Sequence, residues 1–364
     1  MSKLKLEYEI LVSGIYPFNG VCEKSGFTIT QNSIDEQVVN NLAKESVIYL
    51  SPFMGMCCYP DSAGKPVYLT LRKDESIKVE YGNKKEYDVA FTAEYLQSLN
   101  LFDAIDTFEK TMVLEVNNDI KFPIKMIKAY DGEGNFVTLI ANFMKLNVPS
   151  LLSTDHAKTL EVMKRQNNRL NSGIDYDKVS DLASNNKYFK NALSMYHASF
   201  SVANHNAGFT LLIIALEALL SLSTYAKPET CETCNQKKYA ITATISQNVS
   251  LILLDKDDTI LTRIKKLYGV RSKFVHNGIE IAKQDEQELQ EYVRKVLLMY
   301  WCISMYKSTQ EHKEIVKELQ SAEYKDNLMY KTFLTGLDNT SFEEKREKML
   351  QDVFFQLFKK ENDN

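Results

Sequence analysis

The sequence predicts an α+β fold. An antiparallel β sandwich or barrel-like domain is expected over residues 1–150, a helical domain over 151–320, and a helical extension over 321–364. Apolar residues recur mostly with period two, between turn residues, as far as Phe143. From about Ser153 onward they recur with helical spacing. At 364 residues, 44% hydrophobic and 25% charged, the chain has the size and composition of two ordinary globular domains.

The first strand is read from Leu4, Leu6, Tyr8 and Ile10, which alternate with Lys5, Glu7 and Glu9. Further strands are expected at 47–50, 67–71, 77–81, 111–116 and 124–130. Asp131-Gly132-Glu133-Gly134-Asn135 reads as a hairpin turn into a strand over 136–143. One helix is expected to interrupt this half, near 93–108. Cys57-Cys58 reads as packed interior. No catalytic constellation stands out here, so the half suits sensing, regulation or interaction.

Beyond Pro149-Ser150 a helix is expected from a cap at Ser153 or Thr154 to Arg169, broken by Asn171-Ser172-Gly173. Helices follow at 176–184, 187–203, 207–222, 237–253, 257–268 and 284–308, with a turn of helix at 268–276. A last amphipathic helix at 342–359 carries Val353, Phe354, Leu357 and Phe358 to pack on the body or on a partner chain.

The formal net charge of −4 argues against a nucleic-acid coat protein but leaves room for a local basic site. No run of 18 apolar residues is present, so no membrane association is expected. Met1-Ser2-Lys3-Leu4-Lys5 lacks a signal-peptide apolar core, and a cytoplasmic location is the expectation. In that compartment the six Cys read as buried thiols or a metal pair. Cys231-x-x-Cys234 supplies two of the four ligands that a structural zinc needs.

Chemistry concentrates in residues 267–278, L-Y-G-V-R-S-K-F-V-H-N-G. Arg271 offers a permanent charge that forks onto phosphate oxygens. His276 can move a proton near neutral pH. Five residues apart on a straight helix, the two lie about 140° apart around the axis. Asn277-Gly278 predicts that the helix stops there and that His276 projects from its end. The plainer alternative is a structural pair fixing a helix junction.

Between Thr259 and Ile279 stand Arg263, Lys265, Lys266, Arg271 and Lys273 and no acidic residue. This reads either as a phosphate-tracking patch or as a solvated helix face. Tyr268 can stack on a base or pack in the core. Glu217, flanked by apolar residues, is either solvent-facing or buried against a cation, for which Arg271 is the natural candidate. His205 is a second choice near the cleft.

Leu267-Tyr268-Gly269-Val270-Arg271-Ser272-x-x-Val275-His276-x-Gly278, with Ala215-Leu216-Glu217-Ala218-Leu219-Leu220 on an earlier helix, resembles the Apea-like HEPN domain family over roughly 185–310. The resemblance implies a dimerising HEPN helical bundle that cleaves RNA without a metal. It implies catalytic roles for Arg271, His276, Ser272 and Glu217; the RNA contacts expected beside them, Arg263, Lys265, Lys266, Lys273 and Tyr268, come from the basic patch and its aromatic neighbour. Ser272 takes a place often held by Asn, Asp or His in the wider superfamily. Many relatives act as toxin-like or anti-phage effectors, which implies a protein or phage-derived trigger for the N-terminal domain. Others bind without cutting, so the alternatives are an RNA- or nucleotide-binding module and a dimeric scaffold. No cofactor is expected for catalysis; zinc at Cys231 and Cys234 would be structural.

Overall fold

The computed structural model describes residues 2–15, 22–33, 59–60, 66–83, 88–143, 174–202, 204–220, 229–230, 237–238, 241–253, 258–306 and 308–319. They belong to two compact units, Met1–Arg169 with Asp175–Asp177, and Leu170–Ile174 with Lys178–Asn364.

The first unit is an antiparallel sheet with two helices. In chain order its elements are β1 (Ser2–Ser13), β2 (Cys22–Lys24), β3 (Phe27–Ser33), β4 (Tyr59–Pro60), β5 (Pro66–Val79), α1 (Val89–Ser98), α2 (Leu101–Val116), β6 (Lys121–Tyr130) and β7 (Phe136–Phe143). The strands pair in the order β2-β3-β5-β1-β6-β7, with β4 on the start of β5. β1 is central because its alternation is the cleanest: Leu4, Leu6, Tyr8 and Ile10 are buried, while Lys3 and Lys5 are exposed.

The strand spacing suggested a sandwich or barrel. The described strands make one sheet instead, and α2 lies on its inner face, where Phe108 meets Phe27 of β3 and Phe122 of β6. Lys125, nearly buried on β6, is held by Asp106 and by Glu109, the latter at 2.9 Å. Burial alone would pull its ammonium down, but Glu109 and Asp106 outweigh that and raise its pKa. Glu115 is fully buried and accepts from Lys24 at 2.9 Å and from the Tyr176 hydroxyl.

Three further expectations for this unit are corrected. The single helix near 93–108 is two, α1 and α2, parted at Asn100, whose φ is +51°. Residues 111–116 are the end of α2, not a strand: Ile105, Phe108, Met112 and Val116 continue one helical stripe, and the alternation of apolar and polar residues there is incidental. The strands expected at 67–71 and 77–81 are a single strand, β5. Its charged middle stays in the ladder because Arg72, Asp74 and Lys78 face outward, while Lys73 and Glu75 reach Tyr8 on the inner face. At the end of β1, Gly14 has a φ of +87° and its carbonyl accepts from Asn118 at 2.7 Å.

The second unit is helical: α3 (Tyr176–Asn185), of which Tyr176 and Asp177 are counted with the first unit, α4 (Lys187–Ser201), α5 (His205–Leu220), α6 (Ile241–Ile252), α7 (Thr259–Asn277), α8 (Lys283–Tyr306) and α9 (His312–Leu319), with a short ladder of β8 (Glu229–Thr230) and β9 (Lys237–Lys238). α5 is the most apolar of these helices and packs against α4, α6, α7 and α8. Phe209, Leu212, Leu216, Leu297 and Trp301 are among its core. The segments expected at 257–268 and 268–276 form one uninterrupted helix, α7, since an exposed Gly269 with open space around it breaks nothing. α9 follows in a stretch with no predicted helix. The expected strand at 47–50, Cys57-Cys58, the helix at 153–169, and the extension from 321 with its helix at 342–359 lie outside the described residues.

Candidate active site

α7 carries the motif, and its burial divides the motif residues between two faces. Ile264, Leu267 and Tyr268 are buried and Arg271 is half-buried, a spacing of three, four and seven that forms the helix's inner stripe. Lys265, Lys266, Gly269, Ser272, Lys273 and His276 are exposed on the other side. Ser272 and His276 are thus neighbours four residues apart on one face, at the end of a stripe bearing three lysines.

The helix stops where Asn277-Gly278 predicted. Gly278 adopts φ +68°, and its N–H closes onto the Phe274 carbonyl at 2.9 Å. The chain then turns back along α5: the Ile281 N–H donates to Asn206 Oδ1 at 2.9 Å, and the Ile281 carbonyl lies 2.9 Å from His205 Nε2. Gly208 permits the close approach of α4 and α8 to α5, since a Cβ there would stand 2.4 Å from Glu286 Oε1 and 3.0 Å from the Ser199 carbonyl. Glu286 is nearly buried, and burial raises its pKa against the opposing charges of His205 and Lys283.

On the inner side, Arg271 Nη1 lies 3.8 Å from Glu217 Oε1 on α5, with both side chains partly solvated. The apolar flanks of Glu217 therefore conceal an ion pair, and the cation is the one the sequence nominated. At that distance the pair is an electrostatic contact rather than a hydrogen bond, and partial exposure limits it to about 1 kcal/mol. Arg271 Nε is buried and meets no acceptor among the described residues.

Two expected RNA contacts are placed elsewhere. Tyr268 is only 6% exposed, so its ring has no open face for a base; it completes the inner stripe of α7. Arg263 forks onto Glu288 through Nε and Nη2, at 2.6 to 3.0 Å, and reaches Asp285 at 2.6 Å. Glu288 and Asp285 raise the arginine's pKa, and Arg263 in turn holds the Glu288 carboxyl below its usual range. This arginine ties α7 to α8. Its partners were legible only as an acidic cluster opening the next helix. Burial of Tyr268 had a local signal, its spacing from Ile264 and Leu267.

Within one chain, no hydrogen bond or ion pair joins Arg271 to His276 among the described residues. Their exits from α7 differ by about 140°. One chain therefore offers a guanidinium beside a carboxylate on one side of α7 and an exposed imidazole on the other. Val275 and Ile279, which flank His276, are 57% and 53% exposed. Cys231 and Cys234 lie outside the described residues, and among those described no group of three or more His, Cys, Asp or Glu is placed to hold a metal ion. No described helix is long and apolar enough to cross a membrane. Comparison with known proteins returned no match, whether to a family model, a curated protein or a solved structure.

Proposed function

We propose that this chain is a metal-independent endoribonuclease of the HEPN type, in which two copies bring Arg271 and His276 to one groove. The observation that carries the reading is the outer stripe of α7: exposed Lys265, Lys266 and Lys273 run along the helix to Ser272 and His276 at its capped end. Such a stripe follows a phosphate backbone and delivers it to a proton-transfer group. The exposed Val275 and Ile279 beside His276 favour a second copy there, because apolar side chains around a polar group suit a two-fold contact.

RNA supplies the nucleophile. One imidazole removes the 2′-hydroxyl proton as that oxygen attacks the adjacent phosphorus. The bond from phosphorus to the 5′-oxygen breaks, and the partner copy's imidazole protonates the leaving oxygen. Arg271 balances the charge on the crowded phosphorane. The products are a 2′,3′-cyclic phosphate and a 5′-hydroxyl. By the same resemblance, the protein serves as a toxin-like or anti-phage effector, with the sheet unit receiving a protein or phage-derived trigger. Zinc at Cys231 and Cys234 is a separate structural proposal, tested by metal analysis of the purified chain.

A second reading is a non-catalytic RNA- or nucleotide-binding module, favoured by the divergence of Arg271 and His276 around α7. His276→Ala separates the two. With RNA and excess EDTA, wild type is expected to generate cyclic-phosphate ends and the variant to bind without cutting. Equal cutting by both proteins removes His276 from the chemistry; binding without cutting by both leaves the binding module.

A further inference from the structure

Gly208 and Gly269 both sit within helices, but the fold explains only the first. Gly208 lets Glu286 and the Ser199 carbonyl come close, at 2.4 and 3.0 Å from where a Cβ would stand. Gly269 has no positive φ, lies inside the uninterrupted α7, and a Cβ there would meet nothing within 4 Å. It is exposed. Glycine at an exposed mid-helix position weakens the helix relative to alanine, because it has more chain freedom to lose. No neighbour among the described residues requires it.

On a helix surface the neighbours of a residue are those three and four positions away, about 5–6 Å off. For Gly269 these are Lys265, Lys266, Ser272 and Lys273, all exposed. Three ammonium groups and a hydroxyl therefore surround a patch of bare helix, and no acidic residue stands between Thr259 and Ile279. Helix side chains tilt toward the N-terminus, so Ser272 and Lys273 incline back over that patch. His276 follows two turns on, about 10 Å along the axis. A second copy of α7 crossing here would bring lysines against lysines. A compact group with several anionic oxygens fits instead, and it comes closest where no Cβ intervenes. We propose that Gly269 is the floor of a phosphate seat, where a backbone phosphate flanking the cut site of the RNA settles among Lys265, Lys266, Ser272 and Lys273. The seat sets how the strand lies on α7 before it reaches His276. This inference rests on the reading that the outer stripe of α7 binds RNA.

The test measures binding of a fluorescent single-stranded RNA, 2′-O-methylated throughout so that it survives, over a range of salt concentrations. The proteins are wild type, Gly269→Ala, Gly269→Leu and the joint Lys265→Ala/Lys266→Ala/Lys273→Ala variant. Affinity is expected to fall about threefold for Gly269→Ala and about tenfold for Gly269→Leu. Although Gly269→Leu removes no charge, its slope of log affinity against log salt should shrink by about 0.7, the share of one phosphate on a single strand. Both should melt no lower than wild type, since alanine and leucine are better helix formers than glycine. Wild-type affinity or an unchanged slope for Gly269→Leu overturns the inference, as does a melting temperature of Gly269→Ala below that of wild type. So does a change of oligomeric state on gel filtration with RNA binding intact, which would give the patch to a second copy. In each of these cases a weakened triple-lysine variant leaves the RNA reading standing. A triple-lysine variant that binds like wild type overturns that reading and the inference together.

Discussion

Asn186, 3% exposed, uses its amide on every side. Its Oδ1 caps α4 by accepting from the Tyr188 and Phe189 N–H groups at 3.1 and 3.0 Å. Its Nδ2 donates to the Tyr300 hydroxyl and the Gln310 carbonyl at 2.9 and 2.8 Å. Asn186→Ala removes the cap and strands the buried Tyr300 hydroxyl and the half-buried Gln310 carbonyl, and should cost about 2 kcal/mol. Urea unfolding followed by the fluorescence of Trp301, the only tryptophan and a buried one, reads that loss. The Tyr300 hydroxyl also lies 2.8 Å from His312 Nδ1, while Nε2 of that ring is buried and has no hydrogen-bond partner among the described residues. Burial pushes the pKa of His312 down to about 4 from an ordinary 6.5. The sign follows from linkage. Above pH 6.5 both states leave the ring neutral; as pH falls from 6.5 toward 4 the unfolded chain takes up a proton that the folded chain refuses, so stability is lost. The full loss is about 3 kcal/mol. Moving from pH 7 to pH 5 should destabilise wild type by about 2 kcal/mol more than His312→Gln; an equal drop in both proteins contradicts this account.

At the scale of elements, the joints decide what substitutions do. Gly14 has a positive φ, and a Cβ there would fall 2.0 Å from the Asp119 carbonyl oxygen. Gly14→Ala should therefore cost about 3 kcal/mol, read as a lowered urea midpoint for the sheet unit. Arg263→Ala should loosen α7 from α8 by about 1–2 kcal/mol, a range widened by its fork and limited by its partial exposure. A joint substitution of Lys265, Lys266 and Lys273 by Ala should instead leave the melting temperature nearly unchanged, weaken RNA binding and flatten its salt dependence. The reverse pattern would reassign the basic contacts.

The same joints show what could be read from sequence. β1 was legible because its two faces differ so plainly, and the stop of α7 because Asn277-Gly278 is a local signal. β5 was not, since its continuity depends on partners on β1 and on Phe27 rather than on its own alternation. The true inner face of α7 was written in Ile264, Leu267 and Tyr268, although the ion pair that claims Arg263 depends on residues of another helix. Charge alone could not tell Arg263 from Lys265.

For the whole molecule, an antiparallel sheet unit and a helical unit share one acidic chain of net charge −4. The basic stripe on α7 is a local exception, which fits selective engagement of a strand better than general coating of nucleic acid. The proposal needs both imidazoles of a pair, so one defective copy should silence the groove it shares. The most direct measurement mixes wild type with increasing His276→Ala at constant total protein, lets the copies exchange, and follows RNA cleavage. Activity is predicted to fall as the square of the wild-type fraction. A linear fall would mean that each chain cuts alone, and a wild type that cuts no RNA would contradict the account at its root.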